Sequence, residues 1–262
     1  MSTNTPSSAN PRLPAALTAL AGHFAHEPRW WPLHGVDRGL EVTLGMVLVQ
    51  QTRWEAVEAA VLRLLNAGIT SFVALAEADP GHIAALCKPC AFYTRKGEAL
   101  VRLAQHLVQL PHHLDTLLAL PRPQARQALL QLPQIGRESA DTILLYAGDV
   151  PLFIVDAYAR RFLHRTALFA DRINVMTANY DAVQAVVEAD TAFIDAAMAR
   201  DTHALMVEVC IHHCTAQRPR CHHSGYARSF VDPQKCAEHC PPCHGCPMAA
   251  YCPSAPTKAP SA

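Results

Sequence analysis

Residues 132–165 read LPQIGRESADTILLYAGDVPLFIVDAYARRFLHR, and the fold is decided by how this stretch is read. The turn Pro133-Gln134-Ile135-Gly136 closes on glycine, the residue least restricted in backbone angle. Beyond it Ile143, Leu144 and Ala147 recur at helical spacing, which predicts a helix from Arg137 to about Ala147. The first turn of that helix offers backbone N–H groups without intrahelical partners and a positive dipole end, which together suit a phosphate. Arg137 adds a cation at that edge. The apolar connector Leu152-Phe153-Ile154-Val155 then leads to Asp156, which opens a second helix. Asp156 there is an N-cap, a partly desolvated functional carboxylate, or both.

Upstream, residues 1–10 are Ser, Thr, Asn and Pro and are expected to be disordered. Helical patterns follow at Leu13–Phe24, Gly39–Val49 and Trp54–Leu65. Between the last two, Gln50-Gln51-Thr52-Arg53 breaks the apolar character abruptly. A glutamine pair at such a junction either faces solvent or enters a DNA stack, where its amides replace lost base pairing. The adjacent Trp30 and Trp31 either plug a gap between elements or line a pocket. Phe92-Tyr93-Thr94-Arg95-Lys96 opens a longer helix with Ala99, Leu100, Leu103 and Leu107 on its apolar face. That segment is expected to pack, with Lys96 at most near a DNA backbone and without a catalytic role. Cys87 and Cys90 read as buried thiols. Further helices are expected over Met176–Ala189 and Asp190–His212, with no repeat and no convincing strand.

Half of the 262 residues are apolar and only 6% aromatic, which favours helices, and the length allows one or two domains. No apolar run approaches the length that spans a bilayer, and the start carries no signal-peptide pattern, so a soluble cytoplasmic protein without membrane partners is expected. The formal net charge is zero, so a nucleic-acid role requires the cations to gather on one face. Ten cysteines in such a chain read as metal ligands before disulfides, and eight of them lie between Cys210 and Cys252. Cys236, Cys243, Cys246 and Cys252 give Cys-x6-Cys-x2-Cys-x5-Cys, a spacing that can hold a 4Fe-4S cluster. Cys214 competes with Cys236 for the fourth place, because Cys214-x6-Cys221 repeats the first interval. Cys210, Cys221 and Cys240, with His212, His213, His222, His223 and His239, are left over either as spare groups or as an additional zinc site.

The hairpin-to-Asp156 spacing and the cysteine loop resemble the helix-hairpin-helix DNA glycosylases of the endonuclease III superfamily, over roughly Trp30 to Cys252. Trp30-Trp31-Pro32 and Gln50-Gln51-Thr52-Arg53-Trp54 are most similar to the monofunctional 3-methyladenine branch. The resemblance implies an all-α fold of two helical lobes flanking a cleft. Residues 38–150 would form the hairpin-bearing lobe, and residues 11–37 with 151–262 the lobe carrying the iron–sulfur loop. It implies Asp156 as the catalytic carboxylate and Gln50 or Gln51 as the wedge. Gln134, Gly136, Arg137 and Glu138 would lie at the DNA backbone, and Trp30, Trp31 and Trp54 would stack on a cationic alkylated base. Gln134 stands where the family carries its first hairpin glycine. Glu138 occupies the position of the lyase lysine, so no Schiff base is expected. Met46 stands where the adenine-mismatch branch carries a glutamate. The implied partner is double-stranded DNA with damaged bases, bound by a monomer near the nucleoid. Two other readings stay open: an endonuclease III-like enzyme for oxidised pyrimidines with little or no lyase activity, and a non-catalytic DNA-binding iron–sulfur protein.

Overall fold

The computed structural model describes residues 12–24, 31, 33–191, 193, 195–221, 224–225 and 243–255. Helices account for the fold: α1 (Arg12–His23), α2 (Arg38–Leu48), α3 (Trp54–Asn66), α4 (Phe72–Glu77), α5 (Pro80–Leu86), α6 (Tyr93–Leu107), α7 (Leu114–Leu118), α8 (Arg122–Leu129), α9 (Arg137–Tyr146), α10 (Ala157–Thr166), α11 (Tyr180–Asp190) and α12 (Ala196–His212). Among the described residues the one extended pairing joins β1 (Ser224–Gly225) to β2 (Cys243–His244), antiparallel. No helix among the described residues is long and apolar enough to cross a membrane. The chain divides into two compact units, residues 31–150 and residues 1–30 with 151–262.

In the unit of residues 31–150, α2 is buried along almost its whole length, from Leu40 to Leu48. Its start is heavily capped. Asp37 accepts the Leu40 N–H at 2.7 Å, and the Glu41 carboxylate accepts the N–H of Val36 at 2.8 Å and that of His34. A buried carboxylate is tolerable only when it is bonded in this way. α2 packs against α3, α6 and α9, and α6 lies across α4 and α5. The α5–α6 approach depends on Gly97, where a Cβ would stand 2.6 Å from the Ala84 Cα.

The hairpin of α8 and α9 closes on a fork: Arg126 Nε and Nη2 lie 2.9 and 3.0 Å from the two carboxylate oxygens of Asp141, whose side chain is fully buried. The far end of α9 is tied back by Arg38, which donates to the Tyr146 carbonyl and to both Asp149 oxygens, each at 2.7 Å.

In the other unit the core gathers Leu13 and Leu20 of α1, Phe162 of α10, Val183 of α11 and Val209 of α12 around Phe153. Each such side chain contributes about 1.5–3 kcal/mol by leaving water. The connector 152–155 is buried, and among the described residues it pairs with no strand. Side chains of α11 satisfy its backbone: Phe153 donates its N–H to Glu188 (2.9 Å) and accepts from Gln184 Nε2 (2.7 Å), and Val155 donates to the Tyr180 hydroxyl (3.3 Å). This buried connector delivers Asp156 to the head of α10.

Candidate active site

Asp156 is the N-cap of α10: its Oδ1 accepts the Ala159 N–H at 2.6 Å, and its Oδ2 stands 3.6 Å from Nε2 of His203 on α12. The side chain keeps 11% of its surface exposed, so the carboxylate is largely desolvated yet not sealed. The cap consumes one oxygen. The other faces a histidine.

At the hairpin, Gly136 is the N-cap of α9 with extended backbone, and Gln134 takes the left-handed conformation, φ +66°. A side chain there costs about 1–2 kcal/mol that glycine would avoid. Arg137 and Glu138 open α9 and are exposed, so this first turn presents its N–H groups with both signs of charge beside them.

The glutamine loop is held from beneath. Gln51 is left-handed at φ +55°, a strained turn. The buried Lys96 ammonium donates to the Leu48 carbonyl (2.8 Å), the Gln50 carbonyl (2.6 Å) and the Thr52 hydroxyl (2.8 Å), using all three of its protons. Burial pushes its pKa below the ordinary lysine value. Gln50 and Gln51 share an open hollow of about 220 Å³ with Phe92, Arg95 and Gln134. The hollow therefore brings together the glutamine loop, the start of α6 and the hairpin turn. Phe92 is 59% exposed and also left-handed, φ +55°.

Trp31 stands edge-on to Trp54 with ring centroids 5.1 Å apart, and tilted against Tyr146 at 4.9 Å. Gly45 forms its floor: a Cβ there would come within 2.8 Å of Trp31 Cζ2. Trp30 lies outside the described residues.

Near the C-terminus Cys214, Cys221, Cys246 and Cys252 line one cavity with Phe162, Arg165 and Met248. Arg165 of α10 donates to Cys214 Sγ at 3.3 Å, and the Cys252 thiol donates to the Arg165 carbonyl at 3.1 Å. Arg161 donates to the Cys214 carbonyl at 2.7 Å. The hydrogen bond with Cys210 and the two guanidinium groups pull the Cys214 pKa down, and burial pushes that of Cys246 up to about 12. Among the described residues no three His, Cys, Asp or Glu groups converge as a single metal ion requires. A four-iron cubane takes one thiolate on each iron, so its sulfurs stand farther apart than around one ion. The four thiols fit that group by chemistry and by sharing one cavity. Cys236, Cys240, His222, His223 and His239 lie outside the described residues, as does the Cys243 side chain.

Residues 44–186 match the pattern of the HhH-GPD superfamily of base excision DNA repair proteins, which is more than half of the chain. The chain belongs to this superfamily. It is a DNA N-glycosylase of base excision repair. A Methanocaldococcus jannaschii protein named as a DNA repair glycosylase is 29% identical over 197 residues, 74% of this chain and 85% of that protein. The structure of H. pylori 3-methyladenine DNA glycosylase (MagIII) bound to 1,N6-ethenoadenine aligns with TM-score 0.62 at 25% identity, covering 76% of this chain and 95% of that one. A non-covalent endonuclease III–DNA complex aligns with TM-score 0.66 at 20% identity, covering 93% and 95%, and shares the fold.

Within this HhH-GPD chain, sequence reasoning missed several residues. Lys96 reads as packing from its place on an apolar helix, but its three acceptors lie 44 to 48 residues earlier in the chain. Tyr146 looks like the last core residue of α9, and only the fold sets it against Trp31. His203 carries no local signal. Cys221 did carry one, its x6 interval from Cys214, which the downstream cysteines masked.

Proposed function

We propose that this DNA glycosylase is monofunctional and excises alkylated purines, 3-methyladenine foremost, from duplex DNA. The observation that carries the reading is the division of labour within Asp156, one oxygen capping α10 and the second held 3.6 Å from His203. As the C1′–N bond lengthens, its electron pair leaves with the base and positive charge grows on the sugar. A fixed carboxylate beside the sugar stabilises that charge and orients a water. The water oxygen bonds to C1′ and its proton passes to the carboxylate. A cationic alkylated base departs neutral, so it needs little other help.

The remaining roles follow the chemistry of each residue. Gln50 or Gln51 enters the stack vacated by the flipped nucleotide. Gln134, Gly136, Arg137 and Glu138 meet the DNA backbone, with Arg137 and the α9 N–H groups as the attractive part. Trp31 and Trp54, with Trp30, stack on the cationic purine. Glu138 cannot form a Schiff base, which removes the amine route to strand cleavage. Support for the alkylpurine reading comes from the aromatic packing of Trp31 and from the likeness to the H. pylori enzyme.

The C-terminal cysteines carry a 4Fe-4S cluster in this reading. When bound it would supply iron–thiolate bonds that cross-link the cysteines of the C-terminal segment.

The test is base release from duplex oligonucleotides bearing either 3-methyladenine or thymine glycol, with borohydride added to trap any covalent intermediate. Release of 3-methyladenine without a trapped adduct is expected. Release of thymine glycol alone, or a trapped adduct, overturns the reading.

A further inference from the structure

The C-terminal sequence holds two overlapping cysteine patterns. Cys236-x6-Cys243-x2-Cys246-x5-Cys252 has continuous spacing, whereas Cys214-x6-Cys221 stands apart upstream. Only one set of four can hold one cubane. We propose that the ligands are Cys214, Cys221, Cys246 and Cys252, and that residues 222–245 are an insertion between the second and third ligands. The inference rests on the reading that this chain carries a cluster, and it names which thiols hold it.

Three observations carry it. First, these four thiols line a single cavity. Second, the backbone closes the insertion at its root. The Cys246 N–H donates to the Cys221 carbonyl at 2.8 Å, and just beyond, Ser224 pairs with His244 and Gly225 with Cys243 in antiparallel register. The 24 residues between Cys221 and Cys246 therefore begin and end at one place, and the two cysteines are neighbours as if a tight turn joined them. Joining such ends adds little entropy cost, because that cost grows only slowly with loop length. Third, α10 grips this set from its C-terminal end. Arg165 donates to Cys214 Sγ and to the Thr215 and Ala216 carbonyls, and its own carbonyl accepts from Cys252.

With the insertion set aside, the intervals on either side are x6 and x5, the outer intervals of the continuous pattern. Cys236 and Cys243 reproduce the same spacing by sequence alone. The continuous pattern would also have to leave Cys214 and Cys221 as spare thiols on the cavity that Cys246 and Cys252 line.

The experiment measures iron and sulfide per chain, and the visible thiolate-to-iron absorption, in anaerobically reconstituted full-length protein. Wild type is compared with Cys221→Ser and with a Cys236→Ser/Cys243→Ser double variant. The proposal expects about four irons in wild type and in the double variant, as a cubane requires, and loss of iron in Cys221→Ser. The double variant decides the matter even if Cys221→Ser fails to fold: retained iron supports the proposal, and lost iron overturns it. Full iron in Cys221→Ser also overturns it. A wild type that takes up no iron overturns the cluster itself, a result distinguishable from a wild-type cluster that the double variant loses.

Discussion

Replacing Lys96 by methionine removes the brace under the Gln50-Gln51 loop while keeping the length and burial of the side chain. Three hydrogen bonds of 2.8, 2.6 and 2.8 Å are lost together. A hydrogen bond to a charged group contributes about 1.5–3 kcal/mol, so the gross loss approaches about 4–9 kcal/mol. Much of this is returned, because methionine escapes the desolvation that holds the lysine pKa below its ordinary value. What is not returned is the cost of leaving the Leu48 and Gln50 carbonyls without their donor, about 1–3 kcal/mol each. A net destabilisation of about 2–6 kcal/mol is expected. At about 2–4 °C per kcal/mol for a chain of this size, Tm falls by roughly 4–24 °C. Single-turnover base release separates the loop effect from general weakening. Extruding a nucleotide from a duplex costs a few kcal/mol that a single strand does not require. A slack glutamine loop therefore slows duplex excision at least about tenfold more than single-strand excision, which corresponds to about 1.4 kcal/mol. Lys96→Arg restores neither property, since a planar fork cannot reach three acceptors arranged around one point. A Lys96→Met protein with wild-type Tm and a wild-type duplex rate refutes the reasoning.

Other perturbations follow from the same geometry. Arg126→Leu strips the fully buried Asp141 of its guanidinium and is expected to lower stability by about 3–5 kcal/mol in urea unfolding, with Asp141→Asn added in the same chain recovering part of it. Gly45→Ala places a methyl 2.8 Å from Trp31 Cζ2, so the indole must shift; a loss of about 1–3 kcal/mol in stability and weaker binding of 3-methyladenine are expected, both measurable by titration and calorimetry. Burial pushes the Cys87 thiol from 9.0 to about 12, so above pH 9 the unfolded chain releases a proton that the folded chain keeps. Stability then falls as pH rises. From pH 8 to 10 the advantage of wild type over Cys87→Ala narrows by about 1.4 kcal/mol, and an advantage that holds constant contradicts the assignment.

How much of this was legible in the sequence depended on distance along the chain. The α9 helix, expected from Arg137 to about Ala147, runs Arg137–Tyr146, because glycine before it and apolar periodicity within it are local signals. α6 likewise follows its expected apolar face through Ala99, Leu100, Leu103 and Leu107. The later helices begin further along than expected, α11 after Asn179 and α12 after Asp195. In each case a capping side chain accepts an N–H three residues on and stops the helix from starting earlier. The Asp156 cap was readable from one residue and its apolar approach. Its His203 neighbour was not, since 47 residues of chain separate them and only the packing of α10 against α12 brings them near. The same applies to the hollow where Gln134 meets Gln50 and Gln51. Cys221 was obscured for another reason: spacing favours the continuous pattern, and the Cys246 N–H bonded to the Cys221 carbonyl is a contact that no local sequence signal announces.

The central claim is that the Asp156 carboxylate supports departure of the base, and Asp156→Asn tests it most directly. Asparagine is as good an N-cap as aspartate, so α10 and the Tm are expected to hold while the negative charge disappears. Single-turnover release of 3-methyladenine from duplex DNA should fall by about 10²-fold or more, the scale of removing one preorganised electrostatic group. A variant that folds as wild type and releases the base at the wild-type rate contradicts the account.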